Sequence, residues 1–326
     1  MKGSRDVSEQ LATMNSPAAA KRLLSESEQR ESATSVSLPA AAFRALFEKR
    51  RLRGYMRLGS WAARLFPSMQ RTILQYQGTS ISLDLRRIDH QTTFLDGAGV
   101  FESDERRLLE EVVPAGGTAI DVGANVGLFT ISLAKLVGPT GLVISYEPDS
   151  KNLLTNTAAF SQVLVRPVAV SDKEEQVTFR LHRSSSLSRI VPQSARSMKD
   201  LSIAAVTLDA EMFRHNLPRI DFLKIDVEGG EANVLAGAPQ LLSDQQAPVI
   251  MFEWIPGFRE RWLKSALAIM KDSVGDGWRL FRVGWNQPVA EIQDFAEPET
   301  EANIFAFPPN RSVALQKFLE AAGLLS

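Results

Sequence analysis

The 326-residue chain contains no cysteine. That single absence excludes disulfides, zinc–thiolate sites, iron–sulfur clusters and cysteine nucleophiles. Histidine is nearly absent too: a three-histidine metal site would consume all of His90, His182 and His215. No charge of one sign dominates. With 37 Lys/Arg against 38 Asp/Glu the net charge is −1, which does not supply the basic domain of a dedicated nucleic-acid binder. There is no run of about 18 apolar residues to cross a bilayer, and no apolar stretch near the N-terminus that reads as a secretory signal. The expectation is a soluble protein of a reducing compartment, the cytoplasm. What is present is ordinary for a globular chain: 44% hydrophobic and 23% charged residues, in a length that suits two domains or one enlarged one.

The charge is unevenly spread. Residues 1–70 hold 12 Lys/Arg and 6 Asp/Glu. Residues 1–40, rich in Ser, Ala, Gln and Glu, read as a disordered tail that could not bury enough apolar surface to offset its ordering entropy. Residues 41–112 read as a basic helical and hairpin extension. Between Arg44 and Arg64 the arginines alternate with Phe43, Phe47, Leu52, Tyr55, Met56 and Trp61. Such a segment can cap the main domain with its arginines solvated, the reading preferred here, or make a weak contact with an anionic membrane surface through residues 43–66. Thr72–Leu85 suggests a hairpin around Gln77-Gly78, then a loop carrying Asp89 and His90, and a helix from about Ser103 to Val113.

From residue 113 to 326 the pattern becomes regular. Apolar strand-like runs at Thr118–Val122, Leu142–Glu147, Val163–Val168, Ile220–Asp226 and Val249–Trp254 alternate with helical stretches around Val126–Leu136, Asn152–Phe160, Glu231–Leu242 and Arg259–Lys271. Continuous apolar strands separated by helices imply a doubly wound α/β fold, a parallel sheet covered on both faces. Trp278–Val283 and Asn303–Phe307, with no helix between them, would add a hairpin at the sheet edge.

The stretch Ala119-Ile120-Asp121-Val122-Gly123-Ala124-Asn125-Val126-Gly127-Leu128 is a buried strand, a tight glycine turn and a helix start. In doubly wound sheets ligands bind beyond the carboxyl ends of strands. Gly123 and Gly127 let the backbone approach a ligand without a Cβ in the way, and Asn125 tolerates the left-handed conformation. A dinucleotide fingerprint starting at Gly123 would need glycines at 125 and 128, where Asn125 and Leu128 stand. Asp121 suits a cation instead, such as the amino group of S-adenosylmethionine. Glu147, at the tip of the second strand, is placed to accept hydrogen bonds from ribose hydroxyls. After the third strand, Asp172 could accept from an adenine amino group or merely close a turn.

The fourth strand ends in Lys224-Ile225-Asp226-Val227-Glu228-Gly229-Gly230. Alternation puts Lys224, Asp226 and Glu228 on one side, where three charges are costly to bury unless they pair or serve a site. Glu253 ends the fifth strand at the same edge.

These stretches carry a resemblance. IDVGANVGLFTISLAKLVGPTGLVISYEPD, AVSD after the third strand, VTLDAEM before the fourth, DFLKIDVEGGEANVLAGA and VIMFEW, with FLDGAGVFESDE upstream, resemble the FkbM-type S-adenosylmethionine-dependent methyltransferases over roughly residues 93–307. The resemblance implies a class I, Rossmann-like sheet of seven strands with an antiparallel last strand. It implies S-adenosylmethionine as cofactor, with Asp121, Gly123, Asn125 and Gly127 at its methionine part and Glu147 at its ribose. It also implies O-methylation of a hydroxyl on a carbohydrate or natural-product acceptor. A hydroxyl is a poor nucleophile until it loses its proton, so a carboxylate base is expected: Asp226 first, then Glu228 and Glu253, with Lys224 holding one of them ionised and His90 a further candidate. A magnesium ion on Asp226 and Glu253 is the metal variant, disfavoured by Lys224; the expectation is no metal. No nucleic-acid partner is expected. The rival readings are a nicotinamide-dependent oxidoreductase and a non-catalytic nucleoside-binding protein.

Overall fold

A computed structural model describes residues 36–48, 54–97, 103–182, 188–191, 197, 200–217, 219–243, 247–256, 265–274, 277–284, 287–296 and 298–325. The expected tail through residue 35, residues 49–53 of the basic segment and the expected helix start at 259–264 lie outside these residues.

The chain opens with helices α1 (Leu38–Phe47) and α2 (Tyr55–Leu65), a short 3-10 turn (Pro67–Arg71), and the hairpin β1 (Thr72–Tyr76) and β2 (Thr79–Leu83). Helix α1 begins at Leu38, inside the stretch read as tail, and buries Ala40. The hairpin is as expected: Gln77 and Gly78 both have positive φ, 47° and 73°, which twists a two-residue turn to match its strands. The expected loop around His90 is instead helix α3 (Ile88–Asp96), followed by α4 (Ser103–Val112). This extension has its own apolar core, including Phe43, Phe47, Met69, Ile81, Leu83 and Phe94, which continues into Val126 and Ile131 of the next unit.

The main sheet has eight strands in the order β13-β12-β14-β11-β10-β3-β4-β5. Its parallel half is β3 (Thr118–Val122), β4 (Leu142–Tyr146), β5 (Val163–Arg166), β10 (Phe222–Ile225) and β11 (Val249–Trp254). β14 (Ala302–Phe307) is inserted antiparallel between β11 and β12 (Arg279–Gly284). The expected pairing of the two late strands therefore holds, but the hairpin proper joins β12 to an eighth strand, β13 (Gln287–Ile292). Alternation along each strand sorts two cores. Phe222, Val249, Met251, Phe305 and Phe307 lie on one face with α5 (Leu128–Val137) and α11 (Ser312–Ala321). Leu223, Ile225, Ile250 and Phe252 lie on the other with α8 (Glu231–Ala236), α9 (Pro239–Ser243) and α10 (Ala266–Ser273). The sequence reading missed a second sheet. β6 (Ala169–Val170), β7 (Glu175–Arg180), β8 (Arg189–Val191) and β9 (Leu201–Val206) form a four-stranded sheet in the order β6-β9-β7-β8, between β5 and the short helix α7 (Leu208–Arg214).

Candidate functional site

A cleft of about 1000 Å³, its open mouth included, lies at the carboxyl ends of β3, β4 and β10. Its floor is the turn after β3. The N–H groups of Gly123 and Ala124 both donate to the Tyr146 carbonyl, at 2.9 and 3.1 Å, tying the tips of β3 and β4 together. Gly123 (φ 81°) is required twice over. Its conformation is left-handed, and a Cβ there would lie 1.7 Å from the Asp226 carbonyl oxygen. Asn125 holds φ 49° and donates its N–H to Glu147 Oε2 at 3.0 Å, while Asp149 N–H donates to Glu147 Oε1 at 2.8 Å. Burial pushes the Glu147 carboxyl above its ordinary value, against the pull of these two N–H groups. Each oxygen can still accept a second bond.

Three expected cofactor contacts stand away from the cleft. Asp121 is fully buried. It pairs in register with Lys224, accepts from Thr130 Oγ1 at 2.7 Å and lies 3.5 Å from Lys224 Nζ. Its strand position turns it under α5 rather than toward the edge. Gly127 caps α5 with φ 91°, and a Cβ there would crowd Leu153 at 2.8 Å, so its glycine serves helix packing. Asp172 is on an exposed turn, accepting from Ser171 Oγ at 3.1 Å; Ser171 lines the cleft instead.

The expected catalytic residues split. Asp226 and Glu228 line the cleft. Lys224, buried on the strand between two acids, sits 3.0 Å from Asp226 Oδ2 and 4.7 Å above the Phe129 ring. Glu228 holds φ 60°, an unusual conformation for a side chain of its size. Burial, and then the charges of Asp226 and Glu231, push its carboxyl up to about 8. Glu231 closes the same turn by accepting from Val227 N–H and Gly229 N–H at 3.0 and 3.2 Å, and burial raises it to about 7. Glu253 is set back from the cleft wall, its Oε2 buried without a hydrogen bond. Burial, then Asp226 and Glu228, push it to about 10. His90, expected in a loop, is 2% exposed. Its Nδ1 accepts the Asp84 N–H at 2.9 Å, so the neutral ring carries its proton on Nε2, and burial lowers its basicity. That ring is poorly suited to take a substrate proton.

Other wall residues escaped the sequence reading. Arg87 of the extension reaches the cleft and holds Asp149 at 2.6 Å. Phe179, Leu181, Ser188 and Ile190 bring the second sheet over the opening. The alternation of Val177, Phe179 and Leu181 with polar neighbours was the available signal for β7. Among the described residues, no group of three or more His, Asp or Glu side chains is arranged to hold a metal ion.

A doubly wound sheet with one antiparallel strand inserted beside its fifth parallel strand, and a carboxylate at the tip of the second, defines a class I S-adenosylmethionine-dependent methyltransferase fold. Residues 121–273, just under half of the chain, match the family model of the methyltransferase FkbM domain. A methyltransferase named sdnD from Sordaria araneosa is 25% identical over 182 residues, 44% of this chain and 69% of the relative. Among solved structures, an S-adenosylmethionine-dependent O-methyltransferase from Thermotoga maritima aligns over 63% of this chain and 64% of its own, with 14% identity and a TM-score of 0.34. Thus the chain spans just under two thirds of that protein. Fibrillarin from Aeropyrum pernix, solved with S-adenosylmethionine natively bound, aligns over 72% and 81%, with 13% identity and a TM-score of 0.37.

Proposed function

We propose that the cleft binds S-adenosylmethionine and that the protein methylates a hydroxyl of a carbohydrate or natural-product acceptor, with Asp226 as general base. One observation carries this reading: the charge of the cleft wall. Among its described residues Glu147, Asp149 and Asp226 are acidic, beside Glu228 whose carboxyl is raised to about 8, and Arg87, already paired with Asp149, is the one Lys or Arg. Such a wall favours a cationic ligand. It disfavours the pyrophosphate of a nicotinamide cofactor and the phosphates of a nucleic-acid backbone.

The donor set suits S-adenosylmethionine part by part. Glu147 has acceptor capacity for a ribose diol. Val168, Phe179 and Ile190 offer apolar surface to a flat base, with Ser171 beside them. The Gly123–Asn125 turn and Asp226 are left for the methionine end. When bound, the cofactor supplies a methyl group already activated on a positively charged sulfur. The chain's task is alignment of the acceptor oxygen, which can contribute on the order of 7–11 kcal/mol, and removal of its proton.

The carboxyls divide that work by their proton affinities. Glu228 and Glu253, raised to about 8 and about 10, hold protons at pH 7 and cannot act there as bases. Glu228 would donate a hydrogen bond to the acceptor. Asp226, with Lys224 at one oxygen, would take the proton on the other. Asp226→Asn keeps volume and hydrogen bonding but cannot accept that proton. Turnover should fall about 10²–10⁴-fold while the fold and much of the calorimetric affinity for S-adenosylmethionine are kept. Turnover near wild type, measured with labelled methyl donor across a panel of sugars and phenols, would remove Asp226 from the role. Tight binding of S-adenosylmethionine without transfer to any acceptor would favour the non-catalytic nucleoside-binding reading instead.

A further inference from the structure

We infer that the outward face of α2 is a docking surface for an anionic lipid membrane. The helix turns 100° per residue, and its residues sort cleanly. Tyr55, Gly59, Ser60 and Ala63 are buried against the protein. Arg57, Leu58, Trp61, Arg64 and Leu65 fall on the opposite side and are exposed. The apolar members are not marginal: Leu58 is 48%, Trp61 58% and Leu65 54% exposed, and Phe66, just past the helix, 47%.

The inner face cannot release the helix to hide these groups. A Cβ at Gly59 would meet Gln91 Oε1 at 2.4 Å and Phe43 at 2.7 Å, so the helix is seated as closely as a glycine permits. Gln91 Nε2 donates to Ser60 Oγ, Leu85 O and Met56 O at 2.8–3.1 Å, and Ser60 Oγ donates to Arg86 O at 3.0 Å. These hydrogen bonds from Gln91 and Ser60 on one side fix which residues meet the solvent on the other.

Charge selects the occupant. Val36 to Arg71 contains eight Lys/Arg and a single acid, Glu48. Among the described residues no carboxylate lies within ion-pair distance of Arg57, Arg64 or Arg71, whereas Arg44 is paired with Glu48. Tryptophan between leucines, bordered by arginines, matches the headgroup–acyl boundary of a bilayer, where an amphipathic ring and cationic heads are both accommodated. Five side chains of one three-turn helix fall well short of the roughly 800 Å² per partner that a stable protein interface needs. No described helix is long and apolar enough to cross a membrane, so the contact is with the surface.

The test is flotation of the full chain with vesicles of phosphatidylcholine alone and of phosphatidylcholine with phosphatidylglycerol. Binding is expected on the anionic vesicles alone, weakening as salt rises. Arg57→Gln/Arg64→Gln/Arg71→Gln should lower partitioning about 100-fold, each charge being worth about fivefold, and Trp61→Ala about tenfold. Both variants should keep wild-type melting temperature and S-adenosylmethionine affinity. Three outcomes would overturn the inference: no flotation at low salt, flotation that neither variant reduces, or a dimer in light scattering that Trp61→Ala dissociates. The last would mean a second copy covers the face.

Discussion

The two ends of strand β10 carry acids in opposite circumstances. At its amino end Asp221 is fully matched. Arg311 Nη1 lies 2.9 Å away and Arg219 Nε 2.8 Å, and the Thr118 N–H donates to its other oxygen at 3.0 Å. Burial alone would raise this carboxyl, yet the Thr118 N–H and the Arg311 guanidinium hold it below its ordinary value. At the carboxyl end Asp226, Glu228, Glu231 and Glu253 lie near one another with Lys224 paired to Asp226, and three of them are driven upward. A fold that needs buried acids only for architecture supplies cations for them. The surplus lies at the edge where the proposed reaction would handle a cation and a transferable proton.

Arg311 is the sharpest way to break the matched end. It is 8% exposed and donates to Ala247 O at 3.0 Å and Ile220 O at 2.7 Å besides holding Asp221. Arg311→Ala takes one of two cations from Asp221, which keeps Arg219 and the Thr118 N–H, and removes this donor from two backbone carbonyls, a loss of about 3–5 kcal/mol in all. The melting temperature should drop by roughly 6–20 °C with cofactor affinity at low temperature little changed. A drop of a degree or two would mean that the amino end is not the stronger anchor.

At the tip of β4, on the same sheet edge, Glu147→Ala gives the next largest effect. It removes an acceptor already shared by the Asn125 and Asp149 N–H groups. S-Adenosylmethionine affinity should weaken by about 1–3 kcal/mol, roughly 5- to 150-fold in calorimetry. Unchanged affinity would take Glu147 out of the binding site.

How much of this could be read from the chain depends on whether the signal was local. The parallel strands announced themselves as unbroken apolar runs, and Gly123, Asn125, Glu147, Asp226 and Glu228 followed from their positions at strand ends. Register was not readable. The pairing of Asp121 with Lys224 depends on how β3 and β10 slide past one another, and it carried Asp121 from the expected cleft into the core. The cover was equally hidden. Arg87 lies some 60 residues before Asp149, with which it pairs, and β7, β8 and β9 join only through antiparallel contacts that no single window shows. Local pattern located the strand ends that line the cleft, while tertiary pairing decided which charges face it.

The smallest expected effect has the opposite sign and sharpens the comparison most. Glu253 has a buried, unbonded Oε2 and a carboxyl raised to about 10 by burial and by its acidic neighbours. In the unfolded chain the same group ionises near 4.3. Between these values the folded state holds a proton that the unfolded state has released, so stability falls as pH rises through that window. Glu253→Gln removes the titration. At pH 4 the variant and the wild type should melt nearly together, because the carboxyl is protonated in the folded protein and still mostly protonated in the unfolded one. At pH 9 the variant should melt higher, by about 1–2 kcal/mol once local relaxation is allowed for, or roughly 2–8 °C. The matched end provides the control, since Asp221, with its carboxyl lowered, gains stability as pH rises from acid and is flat above neutrality. A variant that melts lower at pH 9, or a gain of equal size at both pH values, would show that Glu253 is stabilised there by a partner rather than strained by its neighbours.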